Sequence, residues 1–412
     1  MLEIILISLF GIVIGTLLGL LPGMNVNNIL PLLLSSIVFL NSPHYVAVLI
    51  VSVAVAQVFA SYIPSIFLGA PGENTSLSVL PGHQMLFEGR GYEAVKLTII
   101  GGLGSLLLTV FLMFMLSNYF TQFYDISRPY IGYVIMLVIA SMVLTEREIH
   151  YILFSIGIIM LSGIFGIITL NSSFFSQQSI LFPILAGLFG LSTVILSLTE
   201  KSKIPKQDVK SDLKISKRNI LKSIILGSLF GIAVGFLPAV GVSQAATMAQ
   251  YIGGVGDSRG FLVALSGINV ANEVFSLNSL YLVDNPRSGA SVAIERVLVK
   301  MTFDDVVLLT SVIGFVSLIS ACITLYLGKK IPVVLAKVNY KKLSVGVIVF
   351  LISMVGFATG WKGLIVLAVS TSIGILCNRL NVNRSNCMGV LLLPSVIFFL
   401  GLNPFVLSFL NI

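Results

Sequence analysis

"GTLLGLLPGMNVNN" (Gly15–Asn28) begins as apolar helix, breaks at Pro22-Gly23 and ends in three amides, Asn25, Asn27 and Asn28. "GIAVGFLPAVGVSQ" (Gly231–Gln244) repeats the plan, with Pro238 and Gly241 ahead of Ser243 and Gln244. Proline removes a backbone donor and blocks the preceding turn, while glycine tolerates positive φ. A helix interrupted twice in the same way, with polar side chains after each interruption, predicts two equivalent half-sites.

The surroundings fix the medium. Of 412 residues, 57% are apolar and only 10% are charged, with a mean hydropathy of +1.05. Soluble domains carry about 25% charged residues. Apolar runs at 45–70, 97–116, 149–170, 261–283 and 306–327 each reach the ~20 residues that cross a bilayer. The chain reads as an all-α polytopic membrane protein with roughly 12–14 membrane segments. Its opening, "MLEIILISLF", has no basic start and no small-residue cleavage site, so the first helix is expected to be retained. Cys322, Cys377 and Cys387 stand apart in apolar sequence and read as buried thiols. Three scattered histidines form no metal cluster, and no GxxxxGK[ST] stretch is present. Neither a resident metal nor ATP hydrolysis is expected.

The net charge of +8 belongs to topology rather than to nucleic acid. Residues 199–222 carry eight basic side chains and three acids; residues 328–342 carry five lysines and no acid. Both stretches are expected on the cytoplasmic side. The first also divides a duplication. "SLFGIVIG" (Ser8–Gly15) matches "SLFGIAVG" (Ser228–Gly235) at six of eight positions, although the first copy has four extra residues before its Leu-Pro. "LSGIFG" (Leu161–Gly166) resembles "TSIGIL" (Thr371–Leu376), and "LFPILAGLFGLSTVIL" (Leu181–Leu196) pairs with "LLPSVIFFLGLNPFVL" (Leu392–Leu407). The expected organisation is a first membrane repeat at 1–198, a basic connector at 199–222 and a second repeat at 223–412. The lysine-rich loop at 328–342 corresponds to "SNYFTQFYDISRPY" (Ser117–Tyr130), where Asp125 cancels Arg128. Three apolar segments then follow in each half, so the repeats are expected to be inverted, a common plan among secondary transporters.

In such proteins, interrupted helices at matching places in both halves point to the substrate site. A second pair of interruptions exists here. "FLGAPGENTSLSVLPG" (Phe67–Gly82) places Glu73, Asn74, Thr75 and Ser76 after Pro71-Gly72. "YLVDNPRSGASVAIE" (Tyr281–Glu295) places Asp284, Arg287 and Ser288 around Pro286. A helix restarting after either proline would present free N–H groups to an anion, and Arg287 would add a fork for a carboxylate. Pairing of Arg287 with Asp284 is the plainer alternative. Between these breaks, Asn269, Asn272 and Glu273 share one helix face. The two asparagines would serve as interhelical glue or as ligands, and an intramembrane carboxylate at Glu273 reads as an ion-coupling group.

These motifs resemble the large membrane subunit of tripartite tricarboxylate transporters, the TctA family, over nearly the whole chain and in the family's order. Besides the repeated break, "LPGHQMLFEGRGYEAV" (Leu80–Val95) keeps Gly82, Met85, Gly89 and Ala94 of a family segment. "INVANEVF" and "DNPRS" match another, and the P-x-x-x-GLFG segment is present as Pro183–Gly190. The chain departs from the family at Pro81, at Ile268-Asn269, at Glu273, and at Asp284 and Arg287.

The resemblance implies gradient-driven transport of a carboxylate across the cell membrane, with a small membrane subunit and an extracytoplasmic binding protein as partners. The expected substrate ligands are Asn25, Asn27, Asn28, Gly72, Asn74, Thr75, Ser76, Ser243, Gln244, Asn272, Arg287 and Ser288. Glu73 and Glu273 are expected to couple H+ or Na+, with no other cofactor and with a homo-oligomer allowed. Two other readings stay open. One is a gradient-independent anion channel or exporter. The other is an intramembrane aspartyl protease of the GxGD type, using Asp257 of "GVGD" with Asp125.

Overall fold

The computed structural model describes residues 2–21, 26–40, 42–71, 73–144, 146, 148–171, 180–199, 205, 207–209, 212–236, 241–255, 257–283, 288–298, 300–335 and 340–410. It is an all-α membrane protein. The first half runs α1 (Leu2–Leu20), α2 (Val26–Ser35), α3 (Ile37–Leu40), α4 (Pro43–Ala60) and α5 (Tyr62–Leu68). A 3₁₀ turn at Glu73–Ser78 leads into α6 (Val79–Phe87), α7 (Gly91–Ser127), α8 (Ile131–Leu144) and α9 (Ile149–Asn171). The last helix of this half is α10 (Leu181–Leu185) joined to α11 (Ser192–Thr199) through a π-turn at Ala186–Leu191.

The rest of the chain follows in the second half. It runs α12 (Lys217–Phe236), α13 (Val242–Tyr251), α14 (Ser258–Val283), α15 (Gly289–Leu298) and α16 (Phe303–Leu335). Then come α17 (Tyr340–Arg379), a 3₁₀ turn at Arg384–Met388, α18 (Gly389–Phe399) and α19 (Asn403–Leu410). Helix α17 is two segments joined at Gly360, whose φ is 66°. Among the described residues, eight helices are long and apolar enough to cross a membrane, and three shorter apolar helices accompany them.

The match between Ser8–Gly15 and Ser228–Gly235 has a packing cause. Gly11, Gly15 and Gly19 line the face of α1 that meets α4; Gly227, Gly231 and Gly235 line the face of α12 that meets α14. A Cβ at Gly15 would lie 2.3 Å from the Val53 carbonyl oxygen, and one at Gly231 would lie 2.4 Å from Ala271 Cβ. Without a hydrophobic force between helices in lipid, such close backbone approach is what holds them. The helices so embraced are the centre of the molecule. In α4–α5 and in α14, 94% of the apolar window is buried, against 33% in α1 and in α12.

The halves interlock rather than sit side by side. Helix α7 packs on α12 and α14, while α4 packs on α15 and α16. At the α7–α14 contact, a Cβ on Gly101 would lie 2.1 Å from the Val263 carbonyl oxygen. The Pro183–Gly190 segment owes its glycines to the same need. Gly187 faces Ser370 of α17, and Gly190 lies against Pro71 and the Gly69 carbonyl at the second break.

Three expectations are corrected. Ser117–Tyr130 is not a loop: α7 continues to Ser127 and a 3₁₀ turn finishes it. No glycine or proline interrupts 117–127, so nothing in the sequence ends the helix there. The 328–342 stretch is likewise helical to Leu335, with Pro332 inside α16. Lysine stems can lie along such a helix end while their charged heads reach outward. Finally, Cys377 and Cys387 are buried, but Cys322 is exposed on α16.

The basic connector also acquires structure, and its last six residues, 217–222, belong to α12. The amide of Gln207 accepts from Gly91 N at 2.9 Å and donates to the Leu86 carbonyl at 2.8 Å. Arg90 donates to the Asp212 carbonyl at 2.6 Å, and Lys214 N donates to Glu93 at 2.7 Å. The Glu93 carboxylate is fully buried and is also clamped by Arg90 and, at 3.3 Å, by Arg259 of α14. The basic connector is thus fastened to the α6–α7 corner. Leu substitution at Gly231 is expected to lower stability by about 1–3 kcal/mol through overpacking. Gly157→Ala on the open face of α9, where a Cβ would meet nothing within 4 Å, should raise it by up to about 1 kcal/mol. Melting of the two purified variants in detergent checks both signs.

Candidate functional site

Each described break is closed by its own side chains. Helix α5 ends at Gly69, whose φ of 64° is the left-handed conformation that favours glycine, with Ala70 N returning to the Pro64 carbonyl at 3.2 Å. His83 of α6 seals this turn: its Nδ1 bonds the Ile66 carbonyl at 3.1 Å, and its ring edge faces Gly69. Burial pushes the His83 imidazole down to about 4, and the charge of Arg384 adds to the effect. A neutral imidazole donates through Nδ1 here. At the α15 start, Ser288 and Ser291 cap one another, with Ser291 N donating to Ser288 Oγ at 3.1 Å and Ser288 N donating to Ser291 Oγ at 2.9 Å. At the α13 start, Gln244 accepts from Gly241 N, and its Nε2 donates to Ser395 Oγ of α18 at 3.2 Å. The Gln244 amide, expected on substrate, is therefore engaged at both ends within the protein.

The breaks of the two halves meet. Ser76 Oγ, in the turn after Pro71, lies 3.2 Å from Ser243 Oγ, in the first turn of α13. Both hydroxyls are buried. On the same turn the Asn74 carbonyl accepts from Asn269 Nδ2 at 3.1 Å, and that amide also donates to Tyr62 OH at 2.8 Å. The Thr75 carbonyl accepts from Ser65 at 3.0 Å and from Ser78 at 2.7 Å. One polar cluster thus joins α5, the Glu73–Ser78 turn, α13 and the middle of α14. Its amides and hydroxyls are mostly paired, but among the described residues Asn269 Oδ1 is buried without a hydrogen-bond partner. An orphaned buried acceptor of this kind is costly, and a donor from a bound guest or water would satisfy it.

Glu273 stands one turn from Asn269 and faces elsewhere. With Ser288, Val51, Val55, Ala290 and Ile313 it lines a cavity of about 10 Å³ between α4, α15 and α16, room for about one water or one small cation. Asn272, beside it, accepts from Ser276 at 3.3 Å. Of the expected ligands, Asn25, Gly72 and Arg287 lie outside the described residues, as do Asp284 and the helix-break residues Pro22, Gly23, Pro238 and Pro286. The side chains of Asn27, Asn28 and Glu73 lie outside them too. Asp257 caps α14, accepting from Gly260 N at 3.2 Å, and the Asp125 side chain is outside the described set, so no contact supports a catalytic pair. Sequence reasoning missed Tyr62 and Ser395. A tyrosine and a serine in apolar runs carry no distinguishing signal until their partners are seen.

The profile of the tripartite tricarboxylate transporter TctA family matches residues 5–389. An uncharacterized protein of Methanocaldococcus jannaschii is 31% identical over 405 residues, covering 96% of this chain and 99% of the relative. No solved structure matches the chain.

Asn269→Ala removes the donor shared by Tyr62 and Asn74 and leaves both buried. It is expected to cost about 1–3 kcal/mol, read from chemical or thermal melts. Gln, which keeps the amide, should recover part of that loss.

Proposed function

The chain belongs to the tripartite tricarboxylate transporter TctA family, and on that premise we propose that it is a secondary active transporter of a small carboxylate anion. Transport runs by alternating access and draws on an H+ or Na+ gradient. The observation that carries this reading is the meeting of Ser76 with Ser243, which brings a helix break of each half to one buried place. Interrupted helices in lipid are tolerated where they line a cavity or are buried in protein, and in transporters with inverted repeats they frame the substrate site. Asn74, Thr75, Ser76, Ser243 and Asn269 form the wall of that site. Gly72, Arg287 and the three asparagines Asn25, Asn27 and Asn28 complete it, with Glu73 as a second coupling acid.

Glu273 is the main coupling group. Its cavity has space for one small guest and holds one hydroxyl, that of Ser288. A proton or a sodium ion bound there is neutralised by the carboxylate, which lowers the cost of holding either charge within the membrane. The two halves face opposite ways, with 199–222 and 328–342 in the cytoplasm. As the family supplies the membrane subunit of tripartite systems, a small membrane subunit and an extracytoplasmic binding protein are its partners.

Counterflow in proteoliposomes tests the reading. Labelled succinate or citrate should accumulate against unlabelled substrate inside; flux without counterflow would mean a channel. Glu273→Gln mimics the protonated acid and should cut gradient-driven uptake at least roughly tenfold while exchange persists. Uptake unchanged in this variant would remove Glu273 from the coupling role.

A further inference from the structure

A recess of about 120 Å³ opens between α6, the α13–α14 corner and the turn before α18. Its inner wall is apolar, with Leu77, Phe189 and Phe261, and its rim carries amides such as Gln250. Arg384 also lines it. This arginine is only 7% exposed, yet among the described residues no carboxylate lies within ion-pairing distance of it. Its Nη1 donates to Thr193 Oγ1 of α11, and its buried Nε has no hydrogen-bond partner among the described residues. The carboxylates nearby are engaged elsewhere, and the other titratable groups beside it are the thiols of Cys377 and Cys387. Glu146 accepts from Asn383 N at 3.0 Å and from Ser155 at 3.4 Å. Asp257, exposed on the recess wall, caps α14 through Gly260 N at 3.2 Å.

A buried guanidinium without a counter-ion is strongly unfavourable unless something anionic visits it. Its planar fork matches a carboxylate better than a point charge would. The other wall limits the guest. Asp257 repels a second negative group but would accept from a hydroxyl, whereas Gln250 Oε1 already accepts from Ser385 Oγ at 3.4 Å. Leu77 follows Ser76 directly, and α13 leads from Ser243 to Gln250, so the recess lies about 10 Å along α13 from the meeting of the two breaks. We propose that Arg384 binds a carboxylate in this recess, and that the preferred guest presents one carboxylate to Arg384 and an uncharged polar group to the lining that carries Asp257. The inference rests on the transport reading for the class of anion and extends it with a site outside the Ser76–Ser243 junction.

Thermal-shift titrations of the full-length protein in detergent test it, with lactate, succinate, citrate and sulfate as probes. Wild type should be stabilised by lactate at lower concentration than by citrate. Arg384→Gln should weaken the response at least roughly tenfold, and Arg384→Lys by less, because the point charge survives. Ser385→Glu places an internal acid beside Arg384; it should abolish the carboxylate response while raising the melting temperature of the unliganded protein, and it decides the matter if Arg384→Gln does not fold. Variants that respond within twofold of wild type would overturn this site and leave the transport reading standing. A response to sulfate alone, or to no anion, would overturn the carboxylate assignment here, while counterflow judges transport independently.

Discussion

The fold depends on one constraint. A backbone group exposed inside a bilayer has no water to turn to, so each helix end there must find its partner within the protein. This chain ends helices in its interior, and among the described residues several such ends are answered by a nearby side chain. Gln244 serves the start of α13, Ser288 and Ser291 serve α15, and Ser65 and Ser78 serve the turn after Pro71. Polar residues after a helix break are therefore first of all caps. Only groups left over from that duty are free to act on a guest, and Asn269 Oδ1 and Arg384 Nε are two of them.

The second constraint is distance. Helices in lipid gain little from hydrophobic burial against one another, so close contact decides which ones pair. Glycine at every fourth position of α1 and α12 allows each to lie on α4 or α14 with backbones nearly touching. The same device recurs outside this pair: Gly166 of α9 lies against the Val390 carbonyl of α18, and Gly374 of α17 against the Leu188 carbonyl of the π-turn. Equivalent helices thus carry equivalent glycines because both copies solve the same contact.

That is why so much was legible. A glycine stripe and a proline break are local patterns, and a duplicated chain shows each of them twice. Ser76 and Ser243 could be named as half-sites because both follow a break. What escaped was partnership over long separations. Nothing in "SGINVANEVF" says that Asn269 will reach Tyr62, 207 residues away. Nor does "NVNRSNCMG" say that its arginine will be enclosed by α11 and left without an acid. Helix ends at 117–130 and 328–342 were misread for another reason. Polar content suggests a loop there, but no glycine or proline interrupts 117–127, and Pro332 is accommodated inside α16.

The packing also bears on how access would alternate. Two large apolar cores exist, and neither is a repeat. One gathers α1, α4, α15 and α16 with residues 270–280 of α14. The other gathers α5, α8, α13 and α18 with residues 261–268 of α14. Helix α4–α5 divides likewise, giving Val46–Phe59 to the first core and Tyr62–Phe67 to the second. The changeover falls at Ser61 and at Asn269, the level of the Tyr62–Asn269 hydrogen bond. A motion that swung one repeat against the other would have to separate α4 from α16, and α7 from α14, whose backbones are in close contact at Gly101. On the transport reading, a motion of one mixed core against the other keeps α4 with α16, both in the first core. It would bend α4–α5 and α14 where a polar seam already interrupts their apolar packing, and the seam holds the candidate ligands.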